Sequence, residues 1–451
     1  MPARQTITLI LACLSPLLAF ARDDAPSVRL PEDAAPGLSA VLKTALAQSP
    51  RLVSRNLDLE AAEHARQQGR AGLRPTVSGA YRLLQARDDR ADLSNAISVT
   101  RSYYDLQINQ PVFHWGERRN NARLGEITKL IAEQSYREAY RQLAQEIRQR
   151  YLGLIVQRHE VERQRRLRER AARQAKLAQE RVAGGAITAQ QAEPALLEAE
   201  QAAIALERAE FEFESTRTTF MRLAGLDQLD VPSDIAGWPL AADEAGRRFQ
   251  GMQAEAAAQG GDATSSLFRL QIEAEELNWK NQRVRVRPKF SLLAGANQDL
   301  LSYTVNVAQR YRVSSLYAGI GVHWLLFDGF ESRSAARAAL ARRRQLEYNL
   351  ARHQDEWRER LAAQVRFLGF SARDLQIAER RHALAEARLA TRRTDRAAGR
   401  AADADIDEAE LATLDSKIAL LRSRADYLLR SADFVGATAG DPAFAGLSDK
   451  P

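Results

Sequence analysis

Hydrophobic and polar residues alternate in several short stretches of this chain, and long helical patterns separate those stretches. In 316–324 one side carries Leu316, Ala318, Ile320, Val322 and Trp324, whereas the residues between them are Tyr, Gly, Gly and His. A period of two is typical of a β-strand with one apolar face. The alternation therefore predicts strands, and the long helical pattern that follows predicts that a strand leads directly into a helix.

The same alternation recurs along the chain. The predicted strands cover 76–87, 103–113, 289–300 and 316–327, with polar loops at 88–101 and 301–312. The residues predicted on the apolar faces of the second and fourth strands are Leu106, Ile108, Ile320, Val322 and Trp324. Gln107, Asn109 and His323 fall on the opposite faces, so each strand is predicted to separate an apolar surface from a polar one.

Amphipathic helical patterns fill most of the remaining chain. They cover 38–48, 52–72, 115–182, 189–223, 267–286, 329–397 and 402–435. Leu143, Ile147, Tyr151 and Leu154 recur at steps of four and three, which is the spacing of a packed helical seam. A helix over 115–182 would be about 100 Å long. Gly185 and Gly399 interrupt the two longest patterns and predict helical hairpins.

Landmarks of the first half reappear in the second half about 213–214 residues later. The matched pairs are Arg74-Pro75 with Arg287-Pro288, Tyr103 with Tyr317, Phe113 with Phe327, Gly185 with Gly399, and Phe220 with Phe434. Their order predicts a tandem duplication. The predicted division is a first repeat at 22–225, a linker at 226–265 that is rich in Gly and Pro, a second repeat at 266–440, and a tail at 441–451.

The first residues have the pattern of a signal peptide. Arg4 precedes an apolar run at 7–20, and Ala19-Phe20-Ala21 is a cleavage site of the A-x-A type, so 1–21 is predicted to be removed. The chain's one cysteine, Cys13, lies in this segment. An alternative is acylation at Cys13, which would place the cleavage inside the apolar run. No later stretch approaches the ~20 apolar residues of a spanning helix.

Composition narrows the classes of function. The net charge is +7, and basic segments at 163–176 and 337–344 permit nucleic-acid binding or solvated helix faces. Interleaved Glu and Ala, together with export, favour solvated faces. Six His and three Met are too few for a soft-metal cluster. We find no nucleophile–base pair and no phosphate loop, so no cofactor and no enzymatic activity are expected.

The strands limit the architecture. A strand of 11 or 12 residues is long enough to cross a bilayer when it is tilted, although a soluble β-layer would show the same alternation. Inside a bilayer no sheet edge stays open, and four strands do not close a barrel. Two copies would supply eight strands and three copies twelve. The charged helices, which exceed the thickness of a bilayer, would then stand in water.

Over about 38–440 the chain resembles the TolC-like outer-membrane factors, the outer membrane efflux protein family. The duplicated layout, the strand ends Pro111-Val112-Phe113 and Leu325-Leu326-Phe327-Asp328-Gly329, and the tip glycines carry the resemblance. It implies a mainly α fold with a membrane β-barrel. In the implied homotrimer, each chain would give four strands to a twelve-stranded barrel above a periplasmic α-helical tunnel, with a mixed α/β belt from 227–265 and the termini.

The resemblance also implies a function. The chain would be the outer-membrane exit channel of a tripartite efflux or type I secretion system. It would take substrate from an inner-membrane transporter through a periplasmic adaptor and perform no chemistry. The alternative is an exported coiled-coil scaffold of the cell envelope. Scarce Met and His argue against a dedicated copper or silver channel, and the choice between drug efflux and protein secretion stays open.

Family members close the periplasmic end of the tunnel with acidic rings. The matching positions are Asp405 and Glu408, which lie on one helix face, with Asp403 and Asp407 nearby. An alternative role for these acids is to stabilise the start of a helix. Where the family has a Tyr–Asp latch between hairpins, this chain has Arg396 and Gln191, so it departs from that latch. An alternative is a pair of Arg396 with an acid of the adjacent hairpin such as Glu193.

The resemblance further assigns the hairpin tips to contact with the adaptor. The residues expected at these contacts are Gly184, Gly185, Ile187, Thr188, Gly399 and Arg400, with the second tip extending to Ala402. An alternative role of the glycines is to permit the turn.

Overall fold

The computed structural model describes residues 29–88, 97–238, 242–258, 261–301 and 311–438. The predicted signal peptide with Cys13 and the predicted tail at 441–451 lie outside the described residues, as do parts of both predicted loops.

The described chain is mainly helical with one four-stranded antiparallel sheet. The helices are α1 (Pro31–Ala34), α2 (Leu38–Gln48), α3 (Pro50–Ala71), α4 (Glu117–Ala183), α5 (Ala189–Ala224), α6 (Ala242–Ala258), α7 (Ala263–Val284), α8 (Glu331–Ala397) and α9 (Asp403–Ala437). The strands are β1 (Thr76–Asp88), β2 (Ile97–Phe113), β3 (Lys289–Leu301) and β4 (Tyr311–His323). The fold class predicted from the sequence, including its tandem repeat, is confirmed.

The two repeats match in length, element by element. Helices α3 and α7 each have 22 residues, strands β1 and β3 each have 13, and helices α4 and α8 each have 67. The hairpins α4–α5 and α8–α9 complete the correspondence, with 36 residues in α5 and 35 in α9. Because the lengths are equal, corresponding residues of the two repeats lie at the same distance from the sheet along their helices.

Strand order along the sheet is β1-β2-β3-β4, so the two β-hairpins join through β2 and β3. Strand β2 begins at Ile97, six residues before the predicted start, because β1 pairs with it along its full length as far as Asp88. Strand β4 covers 311–323, whereas 316–327 was predicted. Its last partner is Lys289, and the preceding Pro288 has no N–H to donate, so residues after His323 have no strand to pair with.

The long helices form a layer in the order α5–α4–α9–α8, because α4 packs on α5 and α9, and α8 packs on α9. Ion pairs join the two hairpins across α4 and α9: Arg173 with Asp407 at 2.7 Å, Arg163 with Asp415 at 2.5 Å, and Arg422 with Glu160. Nearer the sheet the order is α3–α4–α7–α8. Away from the sheet, helices α5 and α8 therefore form the two edges of the helical layer. We call this part, which ends at the hairpin tips, the lower layer.

The apolar core lies halfway along the long helices. Tyr151, Phe220, Phe249 and Phe434 are almost fully buried there, where α6 and the segment 227–238 cover the helices. Buried Arg148 on α4 forms an ion pair with Glu32 of α1 at 2.6 Å, which fixes the N-terminal segment to this belt. A mixed α/β belt was expected. The described part of the belt contains helices and extended chain but no strand, because its extended segment packs on helices without a neighbouring strand.

Candidate functional site

One face of the sheet is apolar and uncovered. Leu316, Ile320 and Val322 of β4 are 88%, 73% and 57% exposed. The strand register places Leu106 and Ile108 of β2 on the same face as Leu292 of β3 and Ile320 of β4, with Leu106 level with Leu316. A face of this kind is stable only against an apolar surface, because exposing it to water costs about 25 cal/mol per Å².

The opposite face carries mainly polar and small residues, with Leu293 of β3 as an exception. Gln107 and Asn109 of β2 lie on it beside Gly295 and Leu293, and His323 pairs with Lys289 at its helical end. The Tyr317 ring lies across Gly295, where a Cβ atom would come 2.5 Å from the ring. The sheet thus separates an apolar side from a side that suits water, as a channel wall requires.

Aromatic side chains surround the end of the sheet where the long helices begin. Trp115 donates a hydrogen bond to the carbonyl of Pro288 at 2.8 Å, and Trp324 donates to the carbonyl of Val286 at 2.9 Å. Phe327 and Phe330 pack edge to face, with ring centres 5.3 Å apart. The two Trp rings are amphipathic, and such rings are typical of a membrane interface. Sequence analysis missed this group, although clustered aromatic residues at both strand ends were the available signal.

Trp324 requires a correction. It was predicted as part of the last strand, but it follows β4 and turns to the carbonyl of Val286 at the end of α7. The strand ends at His323 because β3 offers no further partner. Trp324 therefore belongs to the aromatic group at the junction, and the strand positions of Leu106, Ile108, Ile320 and Val322 stand.

Asp328 accounts for the Phe-Asp-Gly motif. Its carboxylate accepts a hydrogen bond from the backbone N–H of Ser332 at 2.9 Å, in the first turn of α8. Gly329 and Phe330 both have positive φ, as do Trp115 and Gly116 at the start of α4. Hydrogen bonds from Ser332 lower the pKa of Asp328 below its usual value. The motif thus turns the chain from strand to helix and caps the helix.

The first hairpin tip is closed by local hydrogen bonds. Gly185 has a φ of 70°, and the N–H of Ala186 donates to the carbonyl of Arg181 at 2.8 Å. Thr188 and Gln191 form a reciprocal capping box at the start of α5. Gly185 therefore permits the turn, and Gln191 caps a helix rather than reaching towards the other hairpin.

The second tip repeats this geometry. Gly399 has a φ of 73°, and the N–H of Arg400 donates to the carbonyl of Asp395 at 2.8 Å. Arg400 also forms an ion pair with the Asp395 side chain at 3.0 Å. Arg396 pairs with Asp403 across the turn of its own hairpin. The sequence left open a pairing of Arg396 with an acid of the adjacent hairpin; within the described chain its partner is Asp403, because the turn brings that residue directly beside it.

The acidic residues of the second tip divide into different environments. Asp405 accepts a hydrogen bond from the backbone N–H of Ala402 at 2.9 Å, so it stabilises the start of α9. Asp407 faces α4 and pairs with Arg173. Glu408 is exposed and has no hydrogen bond or ion pair within the described part of the chain. Of the acids at this tip, Glu408 has the charge most available to a dissolved cation.

Two features are absent from the residues that the structure describes. No His, Cys, Asp or Glu residues among them are grouped as a metal site would need. None of their helices combines the length and apolar character needed to cross a membrane.

Comparison with known proteins gives a family model that matches part of the chain, and a shared fold. Residues 41–226 match the sequence model described as "Outer membrane efflux protein". No curated protein sequence matches the chain. Several solved structures share its fold, at sequence identities too low to carry more than the fold.

These structures come from different bacteria. The outer membrane protein VceC from Vibrio cholerae is 16% identical, with a TM-score of 0.64 over 90% of this chain and 96% of that one. The CmeC outer membrane channel from Campylobacter jejuni is 14% identical, with a TM-score of 0.68 over 92% and 89%. A membrane protein from Pseudomonas aeruginosa is 19% identical, with a TM-score of 0.68 over 92% and 93%.

The resemblance predicted from the sequence is therefore confirmed: residues 41–226 carry the sequence pattern of the outer membrane efflux protein family, and the described chain has the fold of TolC-like outer-membrane channels.

Proposed function

We propose that this chain forms the outer-membrane exit channel of a tripartite efflux or type I secretion system. The uncovered apolar face of the sheet carries the proposal. In water this face would be a large exposed apolar patch, whereas in a bilayer it would meet lipid. An envelope scaffold built from coiled coils would give the face no role.

The open edges of the sheet support a homotrimer. Strands β1 and β4 each have a partner on one side only within the described chain. Backbone groups at those edges need partners inside a bilayer, and three copies would close a ring of twelve strands by pairing β4 of one copy with β1 of the next. Helices α5 and α8, at the edges of the lower layer, would meet in the same way.

Both hairpin tips lie at the end of the long helices away from the sheet. We propose that Gly184, Gly185, Ile187, Thr188, Gly399 and Arg400 contact a periplasmic adaptor there. The adaptor would join the channel to an inner-membrane transporter that supplies the energy. The exposed tips and their compact turns support this proposal, because such surfaces suit recognition by a partner.

The lower end of the channel would be narrowed by acidic side chains. In a trimer each acid appears three times around the axis, and converging carboxylates attract cations. Glu408 is the proposed ring residue, since its charge is unpaired. Asp405 would contribute a second, weaker ring while it caps α9, and Asp403 would be partly neutralised by Arg396.

The proposal is tested by site-directed labelling of the channel in lipid. Cys13 is the one cysteine of the sequence, so a chain lacking 1–21 accepts single cysteines without background. We expect Gln107→Cys to react with a charged, water-soluble thiol reagent and its reaction to lower single-channel conductance. Ile320→Cys, on the other face and three residues nearer the long helices in the strand register, should stay unreacted. A chain that forms no conducting pores, or reacts at Ile320→Cys alone, would contradict the proposal.

A further inference from the structure

We propose that the outer edges of α5 and α8 form a charge-complementary seam between neighbouring copies of this chain. The inference rests on the proposed trimer and specifies which residues hold its helical part together. It assigns an acidic edge to α5 and a basic edge to α8, so each copy would join the next through unlike surfaces.

Helix α5 has an exposed apolar stripe. Leu197, Ile204 and Phe211 are 48%, 58% and 73% exposed and are spaced by seven residues. At 100° per residue they lie on the side of α5 opposite to Ala192 and Leu206, which are buried against the rest of the chain. A seven-residue repeat of large apolar side chains is the spacing of a seam with another helix.

Helix α8 has a matching stripe. Phe370, Ile377 and Leu384 are 51%, 45% and 52% exposed, again at intervals of seven. They turn away from Leu368 and Leu375, which are buried. Because α5 and α8 lie at opposite ends of the helical layer, the helix that each stripe could pack against belongs to another copy.

Charges of opposite sign accompany the two stripes. Acidic residues follow one side of the apolar stripe of α5, and arginines follow one side of that of α8; the other sides carry Arg208 of α5, and Asp374 and Arg381 of α8. The acids are Glu193, Glu200, Glu207 and Glu214, and the arginines are Arg366, Arg373 and Arg380. In the described part of the chain, Glu200, Glu207 and Arg380 make no ion pair. Glu214 is held by Arg217 of its own helix at 3.1 Å, and Arg373 bonds to the carbonyl of Gly369.

The residues of the two edges also lie at matching distances from the hairpin tips. Helix α5 leaves its tip and α8 approaches its tip, so they would pack antiparallel in neighbouring copies. Glu207 and Ile377 each lie 22 residues from the tip glycine of their hairpin, while Ile204 and Arg380 each lie 19 residues from it. Each acid would then face an apolar side chain, with an arginine about 5 Å above or below, roughly one turn along the helix.

A second copy of this chain fits these surfaces better than lipid or a neutral helix. Arginine would rest its aliphatic stem on the apolar stripe and direct its guanidinium to the acid of the other copy. Like edges would repel, since two α5 helices would place acid beside acid. The pattern therefore selects head-to-tail contacts, which close into a ring.

Charge exchange tests the seam. The first variant is Glu200→Arg with Glu207→Arg, the second is Arg373→Glu with Arg380→Glu, and the third combines all four. Sedimentation in detergent gives the trimer-to-monomer ratio, and circular dichroism gives the helix content. We expect the ratio to fall about tenfold in each double variant at unchanged helix content, and to return to within about threefold of the native value in the combined variant.

The matched control is Glu198→Arg with Glu212→Arg. It changes the net charge of the same helix equally, but both residues lie off the stripe, so the native ratio is expected. The seam is refuted if the double variants stay as trimeric as the control, or if the combined variant does not recover. In those cases a native chain that still trimerises and conducts would leave the proposed channel standing.

Discussion

At the scale of single residues, the structure gives one tyrosine an unusual place. Tyr151 is buried in the central belt, and its hydroxyl donates to the carbonyl of Pro36 at 2.5 Å, which holds the N-terminal segment against α4. Burial, with a smaller contribution from Asp230, raises the pKa of Tyr151 to about 12. The hydroxyl therefore stays protonated in the folded chain well above the pH at which an exposed tyrosine ionises.

The raised pKa of Tyr151 makes stability depend on pH in the alkaline range. Below about pH 10 the ring is neutral in both states, and above it the unfolded chain loses its proton first. Stability should therefore fall as the pH rises from about 10 to about 12. In Tyr151→Phe this component should vanish, while stability at neutral pH falls by about 1 kcal/mol through the lost hydrogen bond.

Thermal unfolding in detergent, followed by circular dichroism at a series of pH values, measures both effects. The control is Tyr348→Phe, which removes a hydroxyl from an exposed ring. If native and Tyr151→Phe chains lose stability in parallel above pH 10, the assignment of the alkaline loss to Tyr151 is wrong.

A second prediction concerns the two faces of β4. Val322 lies on the apolar face, and the adjacent His323 lies on the polar one. Val322→Arg should impair membrane insertion, because an arginine that faces lipid costs about 2–4 kcal/mol at mid-depth and less near the interface. His323→Arg should insert normally. The measurement is the fraction of heat-modifiable trimer in outer membranes, and the reverse result would show that the faces are exchanged.

A third prediction separates two roles at the second tip. Asp405→Ala with Glu408→Ala should raise single-channel conductance and weaken block by multivalent cations. Of the single changes, Glu408→Ala should account for most of the altered block, since its charge is unpaired. Asp405→Ala should mainly cost about 1 kcal/mol at the start of α9, through the lost cap at Ala402.

Planar-bilayer recordings with a trivalent cation, together with thermal unfolding of each variant, distinguish these effects. Asp407→Ala serves as the control, because its partner Arg173 already neutralises it. If the cation blocks the double variant as strongly as the native channel, the proposed ring of Asp405 and Glu408 is wrong.

At the scale of elements, the two repeats differ in the residues at which the helix before each strand pair crosses the long helix after it. In the first repeat Gly69 of α3 meets α4 closely: a Cβ atom would come 2.9 Å from the carbonyl oxygen of Asn121. Gly125 of α4 faces Arg66 in the same crossing, where a Cβ atom would come 3.0 Å from Cα. The equivalent positions of the second repeat are Gln282 and Ala339. Glycine therefore sets the close approach of α3 and α4.

Two Gly→Ala substitutions, one inside this crossing and one outside it, should therefore change the stability of the protein in opposite directions. Gly69→Ala should destabilise the protein, because backbone atoms of α4 would have to shift. Gly153→Ala in α4 should stabilise it by about 0.5–1 kcal/mol, since its added methyl meets nothing within 4 Å and alanine favours helix. The difference is read from thermal unfolding of the two variants. Equal shifts in both would show that the crossing is not close-packed.

At the scale of the whole molecule, ion pairs hold the two hairpins of one chain together along α4 and α9. The pair of Arg173 with Asp407 lies nearest the tips, and the pair of Arg163 with Asp415 lies further from them. In the proposed trimer this contact within a chain alternates with the seam between chains.

Cross-linking tests the assignment of this contact. Arg173→Cys with Asp407→Cys, treated with a short bismaleimide, should give a product that migrates as one chain on a denaturing gel. Mixing chains that each carry a single cysteine gives the control, which should form no dimer. Dimers from the mixture would place α4 and α9 of different chains together.

Much of this architecture could be predicted from the sequence. Helix and strand types, the hairpin glycines and the duplication follow from local periodicity and from Gly and Pro, which act on their own neighbours. The limits of β2 and β4 could not, because a strand ends where its partner ends, and Lys289 is far from His323 in sequence. The partner of Trp324 was missed for the same reason, since Val286 lies 38 residues before it.

The sequence by itself thus determined a duplicated chain of strand pairs and long helical hairpins, since those features depend on spacing within short windows. The tertiary structure alone decided which surfaces remain uncovered. It placed β1 and β4 at open edges, α5 and α8 at the sides of the layer, and Glu408 without a counter-charge. Exposure depends on which distant segments pack together, and that information is not local to any stretch of the chain.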